Sequence, residues 1–340
     1  MKRKPPTMAD VARRVGVSPM TVSRALRNTG TTAEATRIRI LQAAEELGYV
    51  VDVTASGFSS GKSGFVAMTI PSINNSNFAE TVRGVTNTLR PHGLELLLGY
   101  TDYDFLKEEE LIAAFLKRRP QAVILTGGTH SEKCRNYLEN AAVPVIEVWE
   151  LPKKPLGHVV GFDNRMAGKI IAQHFYEVGY RRPGFVGGIV GRDVRGSERA
   201  DGFFEELAHL GLPTDRLISD EEPPIAMREG ANAIVKLLDR WPDTDAVMCV
   251  SDAAAFGALS ACQSKGLRVP QDIAIAGFGA FDLTEYTSPQ ITTISVGALE
   301  IGAAAGEVIV SQLDDAKTSA EMANYVPRLE LLVRGSTLQD

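Results

Sequence analysis

The sequence predicts an α/β chain: an all-helical N-terminal headpiece, then a core of two doubly wound halves on parallel sheets. Three observations lead there. At 340 residues the chain exceeds the usual domain size of about 100–200. Residues 1–62 show apolar spacing of helical period, punctuated by glycine and hydroxyl residues. From Gly64 onward, short apolar runs alternate with helical stretches, the pattern of strands joined by crossover helices. The expected division is therefore a headpiece over 1–62 and a core over 63–340.

The headpiece elements follow in order. Met8, Val11, Ala12 and Val15 fall on one helical face, and Gly16 stops that helix with a tight turn. Ser18 is a good N-cap and Pro19 suits the first helical position, so a second helix is expected from Pro19 to about Arg27. Its inner face is Val22, Ala25 and Leu26. A third helix is expected from near Thr32 to Leu47, with Ile38, Leu41, Ala44 and Leu47 as its inner stripe and Gly48 as its cap. Helix, glycine-containing turn, helix is the helix-turn-helix unit of DNA readers, although three ordinary amphipathic helices would give the same periodicity.

Charge favours the DNA reading. The net charge of −6 hides an asymmetry: residues 1–62 hold ten Lys/Arg against five Asp/Glu, while the remainder holds 26 against 37. The basic end can meet phosphates that would repel the acidic bulk. A recognition helix leads into the major groove with its N-terminal residues. Met20, Thr21, Ser23 and Arg24 face outward there. Arg24 can donate two hydrogen bonds to guanine, Met20 can pack on a thymine methyl, and the hydroxyls suit phosphates.

Composition excludes other classes. With 44% hydrophobic and 23% charged residues, the chain is neither disordered, collagen-like nor a disulfide scaffold. Apolar runs such as Ala246–Val250 fall far short of the ~18–20 residues of a membrane span. Lys2, Arg3 and Lys4 are followed by Pro5, Pro6 and Asp10, where a signal peptide would place its apolar stretch, so none is expected. Cys134, Cys249 and Cys262 make no metal spacing and read as reduced thiols of a cytoplasmic protein.

The segment "MADVARRVGVSPMTVSRALRN" from Met8 to Asn28, with the "TR…IL…A…ELGY" pattern over Thr36–Tyr49, resembles the DNA-binding headpiece of the LacI family of bacterial repressors. The resemblance implies DNA contacts from Ser18, Met20, Thr21, Ser23, Arg24 and Asn28. It also implies a hinge helix over about 53–61 that folds on DNA, bringing Ala55 and Phe58 to the minor groove. The family usually wedges a leucine there, where Phe58 stands, and "YVVD" replaces its usual Tyr-x-Pro-Asn, placing Asp52 near DNA. Ser59 to Gly64 have a flexible-linker composition.

In the core, strands are expected at Phe65–Ile70, Glu95–Tyr100, Ala122–Thr126, Val143–Trp149, Pro183–Val186, Ala246–Val250, Ile273–Gly277 and Thr292–Ser295. Helices are expected at Asn77–Leu89, Leu106–Arg118, Ala167–Glu177 and Ala253–Lys265. No GxGxxG follows a strand and no GxxxxGK[ST] occurs, so no nucleotide cofactor is expected. The LacI resemblance extends through "PSINNSNFAETVRGV" and "GLRVPQDIAIAGFG". It implies a periplasmic-binding-protein-like core, with one subdomain over about 64–161 and 292–325 and the other over about 162–291 and 326–340. It further implies a homodimer on palindromic operator DNA, controlled by a small molecule in the cleft.

Ligands of such sheets sit beyond the carboxyl ends of the strands. Strand ends supply Thr126, Glu147, Trp149 and Ser251, with Asp252 following, and a helix start supplies Asn77 and Phe78. Arg195 and Arg199 are four apart, so on a helix they share a face and could clamp one anion, unless that face is simply solvated. Trp149 could equally be core packing. By resemblance, Arg199 matches an effector-binding arginine of sugar-responsive members, whereas a small polar residue often stands where Arg195 does. Gly279 replaces a common aspartate. Losing a carboxylate and gaining a cation suit a sugar acid. "LTGGTH" (Leu125–His130), "VPVIEVWE" (Val143–Glu150) and "VGFDN" (Val160–Asn164) resemble the gluconate-repressor branch.

Enzyme signals are weak. The five histidines form no HExxH and no close His–carboxylate metal spacing, so no metal is expected, and no GxSxG elbow precedes a helix. The alternatives are an α/β sugar-acid enzyme or a sugar-acid-binding protein without a regulatory role. Neither needs the headpiece.

Overall fold

The computed structural model describes residues 5–26, 32–50, 63–188, 192–219, 225–314 and 324–338. The chain divides into two compact units, Met1–Ser63 and Gly64–Asp340.

The first unit contains α1 (Met8–Val15), α2 (Pro19–Leu26) and α3 (Glu34–Leu47). Asp10 fastens the start of α1 by accepting from both the Thr7 amide (2.9 Å) and hydroxyl (2.6 Å). Gly16 ends α1 at φ 77°, a left-handed conformation that costs glycine little. Ser18 Oγ accepts the Thr21 amide at 3.2 Å, the N-cap bond expected for α2. Val11, Ala12, Val15, Val22 and Ala25 pack against Ile40, Ala43 and Ala44 of α3. That last face differs from expectation. Ile38, Leu41 and Leu47 are 47%, 41% and 37% exposed, and of the expected stripe only Ala44 is buried. Ile40, Ala43 and Ala44 have equally good helical spacing, and two alanines let α3 approach more closely than a leucine face would.

The second unit holds two parallel sheets. The first contains β1 (Phe65–Ile70), β2 (Glu95–Tyr100), β3 (Val123–Thr126), β4 (Val145–Val148), β5 (His158–Val160) and β11 (Asn324–Tyr325), in the order β11-β5-β4-β3-β1-β2. The second contains β6 (Pro183–Val186), β7 (Leu217–Ile218), β8 (Ala246–Cys249) and β9 (Ala274–Ala276), in the order β7-β6-β8-β9. Both are doubly wound, so each has a switch point where a crevice opens beyond the strand ends. Thr293–Ser295 (β10) forms as expected but joins neither parallel sheet, pairing antiparallel with Glu330–Leu332 (β12). Only Thr292 keeps a bridge to Ala276 of β9.

Helices α4 (Ser76–Leu89), α5 (Phe105–Leu116), α6 (Glu132–Glu139) and α11 (Ala298–Leu313) cover the first sheet. The second lobe carries α7 (Asn164–Glu177), α8 (Val194–His209), α9 (Met227–Arg240) and α10 (Asp252–Ser264). Three helix pairs cross through reciprocal glycines. A methyl group at Gly84 or Gly302 would overlap backbone of the facing helix in the α4–α11 pair. Gly168 and Gly202 play the same part between α7 and α8, as do Gly230 and Gly257 between α9 and α10. Among the described residues, no helix is long and apolar enough to cross a membrane.

Candidate functional site

On α2, Val22 and Ala25 are buried while Met20 is 58% exposed and Arg24 is exposed, with Thr21 and Ser23 half-buried between. The hydroxyls of Thr21 and Ser18 are 2.9 Å apart and bonded to each other. Arg24 has no partner among the described residues. Asn28, Ala55, Phe58 and the expected hinge helix over 53–61 lie outside the described residues.

In the core, a cavity of about 670 Å³ opens between the two lobes at the strand ends. Of the expected cleft residues, Asn77, Phe78, Trp149, Arg195, Arg199 and Ser251 line it. Asn75 N-caps α4 through the Asn77 amide (3.0 Å), and Ser251 caps α10 through the Ala254 amide (3.3 Å). Phe78, Trp149, Phe162 and Phe278 form a chain of rings with successive centroid distances of 5.4, 5.8 and 6.0 Å, running from one lobe to the other. Trp149 is 3% exposed, sits at φ 76°, and donates its indole N–H to Thr81 Oγ1 at 3.1 Å. It is both core and wall.

Arg195 and Arg199 share a face of α8, as their spacing requires, and both are buried. Arg195 donates to the Thr126 carbonyl at 3.2 Å. Arg199 donates to Asn164 Oδ1 (2.6 Å) and the Val250 carbonyl (3.1 Å), lies over the Phe278 ring at 4.1 Å, and leaves its Nε buried without a partner. Burial pulls its pKa down to about 10. Among the described cavity-lining residues Asp193 is the one carboxylate, and it is engaged as the N-cap of α8. A buried guanidinium without a carboxylate partner favours an incoming anion.

Three expected cleft residues lie elsewhere. Glu147 belongs to the opposite face of the first sheet: β4 alternates, so Val145 and Glu147 point toward α5 and α6 while Ile146 and Val148 face α4. There Glu147 accepts the Leu156 amide at 2.6 Å and approaches His130. Burial opposes charge on His130, but Glu108 and Glu147 outweigh it and lift its pKa to about 9. Thr126 donates to the Thr69 carbonyl at 2.8 Å and lines a second cavity of about 400 Å³. Asp252 is fully buried, accepting from the Thr293 hydroxyl (2.6 Å) and the Phe281 amide (2.7 Å), and so braces α10 against β10.

Burial raises the Asp252 pKa to about 6, against the pull of those two donors. Because the folded pKa lies above the unfolded one, the contribution to stability is full below about pH 4 and lost as pH rises through about 6. Relative to wild type, Asp252→Asn should therefore gain about 2–4 kcal/mol between pH 3.5 and 7. Denaturant melts of both proteins across that range test this, and a constant gap would refute it.

Sequence reasoning missed Tyr103, Asp193, Phe278 and Phe281 on the cavity wall. Tyr103 follows β2 and Phe278 follows β9, so the strand-end rule could have found both. Burial, with Asp193 nearby, raises the Tyr103 pKa and keeps its hydroxyl protonated.

Residues 7–52 match the family described as bacterial regulatory proteins, lacI family, and residues 172–337 match the periplasmic binding protein-like domain. The HTH-type transcriptional regulator GntR of Pseudomonas aeruginosa is 34% identical over 334 residues, covering 98% of this chain and 96% of that protein. The chain belongs to the LacI family. The HTH-type transcriptional regulator GntR of Escherichia coli K12 is 30% identical over 322 residues, with 95% and 96% coverage. A LacI-family transcriptional regulator from Silicibacter pomeroyi has a crystal structure that superposes with a TM-score of 0.92 at 34% identity, covering 98% of this chain and 100% of its own. The helical headpiece and periplasmic-binding-like core are thus those of a DNA-binding transcriptional regulator. These relatives are regulators rather than enzymes, which disfavours the sugar-acid enzyme.

Proposed function

We propose that this LacI-family chain is a cytoplasmic, homodimeric repressor that leaves its palindromic operator when a sugar acid such as gluconate enters the cavity between the lobes. The observation that carries the effector class is the buried Arg195–Arg199 pair facing a cavity whose described lining holds one carboxylate, already engaged. A carboxylate supplies the missing negative charge. The amides and hydroxyls of Asn77 and Ser251, with the rings of Phe78 and Trp149, suit the hydroxylated chain behind it. The moving parts are taken as residues 64–161 with 292–325, and 162–291 with 326–340. The motifs shared with the gluconate-repressor branch support the same reading.

On DNA, Arg24 reads a base while Thr21 and Ser23 hold phosphates, with Asn28, Ala55 and Phe58 adding contacts. Arg24→Ala is expected to cost ~1–3 kcal/mol of operator affinity and relax preference at one base pair per half-site. Binding selections on random duplexes, wild type against variant, read this directly. Uniform weakening on all sequences would make Arg24 a phosphate contact instead. The test of the whole reading is a fluorescence-anisotropy titration on the selected operator, with gluconate and neutral hexoses added. Release by gluconate alone supports the proposal, and release by hexoses alone rejects the sugar-acid class.

A further inference from the structure

Glu108 lies on α5, His130 in the turn before α6, and Cys134 on α6. Their ligating atoms all fall within 4.8 Å of one another, and none of the three lines the cavity that Arg199 faces. Glu108 Oε2 is 2.8 Å from His130 Nδ1. On the other side of the ring, Nε2 stands 3.5 Å from Glu147 Oε1, and neither atom has a hydrogen-bond partner although their side chains are 1% and 0% exposed. The two open atoms face each other as a buried ion pair whose 3.5 Å separation is long for a hydrogen bond, so the ring is held tightly only on its Glu108 side.

We propose that Glu108, His130 through Nδ1, and Cys134 bind a transition-metal ion of the Zn²⁺ class, with Glu147 as the outer carboxylate that orients the imidazole. A thiolate, an imidazole and a carboxylate form a donor set for zinc, and the sulfur disfavours Mg²⁺ or Ca²⁺. Metal on Nδ1 leaves the ring proton on Nε2, which donates to Glu147 once the 3.5 Å gap closes. Binding displaces the Cys134 thiol proton and any proton on His130 Nδ1, and these leave to solvent. Tetrahedral zinc sets nitrogen, oxygen and sulfur donors about 3.3–3.6 Å apart, so Glu108 and His130 separate slightly while Cys134 moves in. Glu108 also lines the cavity of about 400 Å³, which gives the site an entry path. His130 and Cys134 lie four residues apart, but Glu108 comes from a separate helix, so no complete sequence motif announces the site.

The test uses the full chain, treated with a chelator and then titrated with Co²⁺ as a spectroscopic substitute for Zn²⁺. The expected result is a thiolate-to-cobalt charge-transfer band in the near ultraviolet that saturates at one ion per chain and is displaced by Zn²⁺. Cys134→Ser should remove the band. Glu147→Gln, which keeps all three ligands, should retain it while weakening Co²⁺ affinity about 10–100-fold. A wild-type protein without the band overturns the site, as does a band that survives in Cys134→Ser. Should Cys134→Ser fail to fold, Glu147→Gln decides: an unchanged affinity overturns the proposal. None of these readouts depends on operator or sugar acid.

Discussion

Arg199→Ala is expected to abolish the response to gluconate while leaving operator binding intact. Arg199 is held by two neutral acceptors, Asn164 Oδ1 and the Val250 carbonyl, and by the Phe278 ring, with its Nε unsatisfied. A ligand carboxylate would complete that environment, so removing the cation leaves a buried anion without its partner. Losses of about 2–5 kcal/mol are typical for breaking such a pair, roughly 30-fold to several thousand-fold in affinity. The switch adds a second quantity. For gluconate to empty the operator it must bind the DNA-incompetent arrangement more tightly, and a ~100-fold preference is worth about 2.7 kcal/mol of coupling. Reciprocity then requires operator DNA to weaken gluconate by the same factor. Calorimetric titrations with and without operator measure it for wild type. Equal affinities in the two would exclude gluconate as inducer, whereas wild-type affinity in Arg199→Ala would exclude the arginine clamp.

The sequence reveals elements better than faces. Strands such as Phe65–Ile70 and Pro183–Val186 were legible to the residue because apolar runs buried on both sides end abruptly at turns. Helix α3 was legible as a helix but not in its rotation, since Ile38 and Ile40 support two faces of equal period and only packing against α1 and α2 chooses. Glu147 shows the same limit in a strand. Its place at the end of β4 suggested the cleft, but alternation turns it toward α5, and the next wall residue, Trp149, reaches the cavity through its left-handed backbone. Arg195 and Arg199 were legible because their geometry is internal to one helix. Contacts assembled from distant segments, such as Asp252 with Thr293, carry no local signal.

The helix crossings are another such long-range feature, and they lead to the second large effect. Gly168→Ala is expected to destabilise the core by ~2 kcal/mol or more and to weaken gluconate binding along with it. The added methyl would overlap the carbonyl oxygen of Arg199, which is backbone and cannot rotate away. Helices α7 and α8 must therefore separate, in a place where Ile171, Phe175 and Phe203 are fully buried and closely fitted. Overpacking of this kind costs about 1–3 kcal/mol, and more when backbone has to move. Because the overlapping carbonyl belongs to Arg199 itself, the shift is transmitted to the guanidinium and to its bond with Asn164 at the start of α7. Gly179→Ala separates packing from backbone strain. Its site is open, with nothing within 4 Å, but its φ is +103°, so only conformational strain of about 1 kcal/mol is expected, with effector affinity unchanged. Denaturant unfolding of both variants, paired with gluconate titration, checks the two halves separately. A Gly168→Ala protein as stable as wild type would mean that α7 and α8 adjust freely, and the glycine pair would then have no part in positioning Arg199.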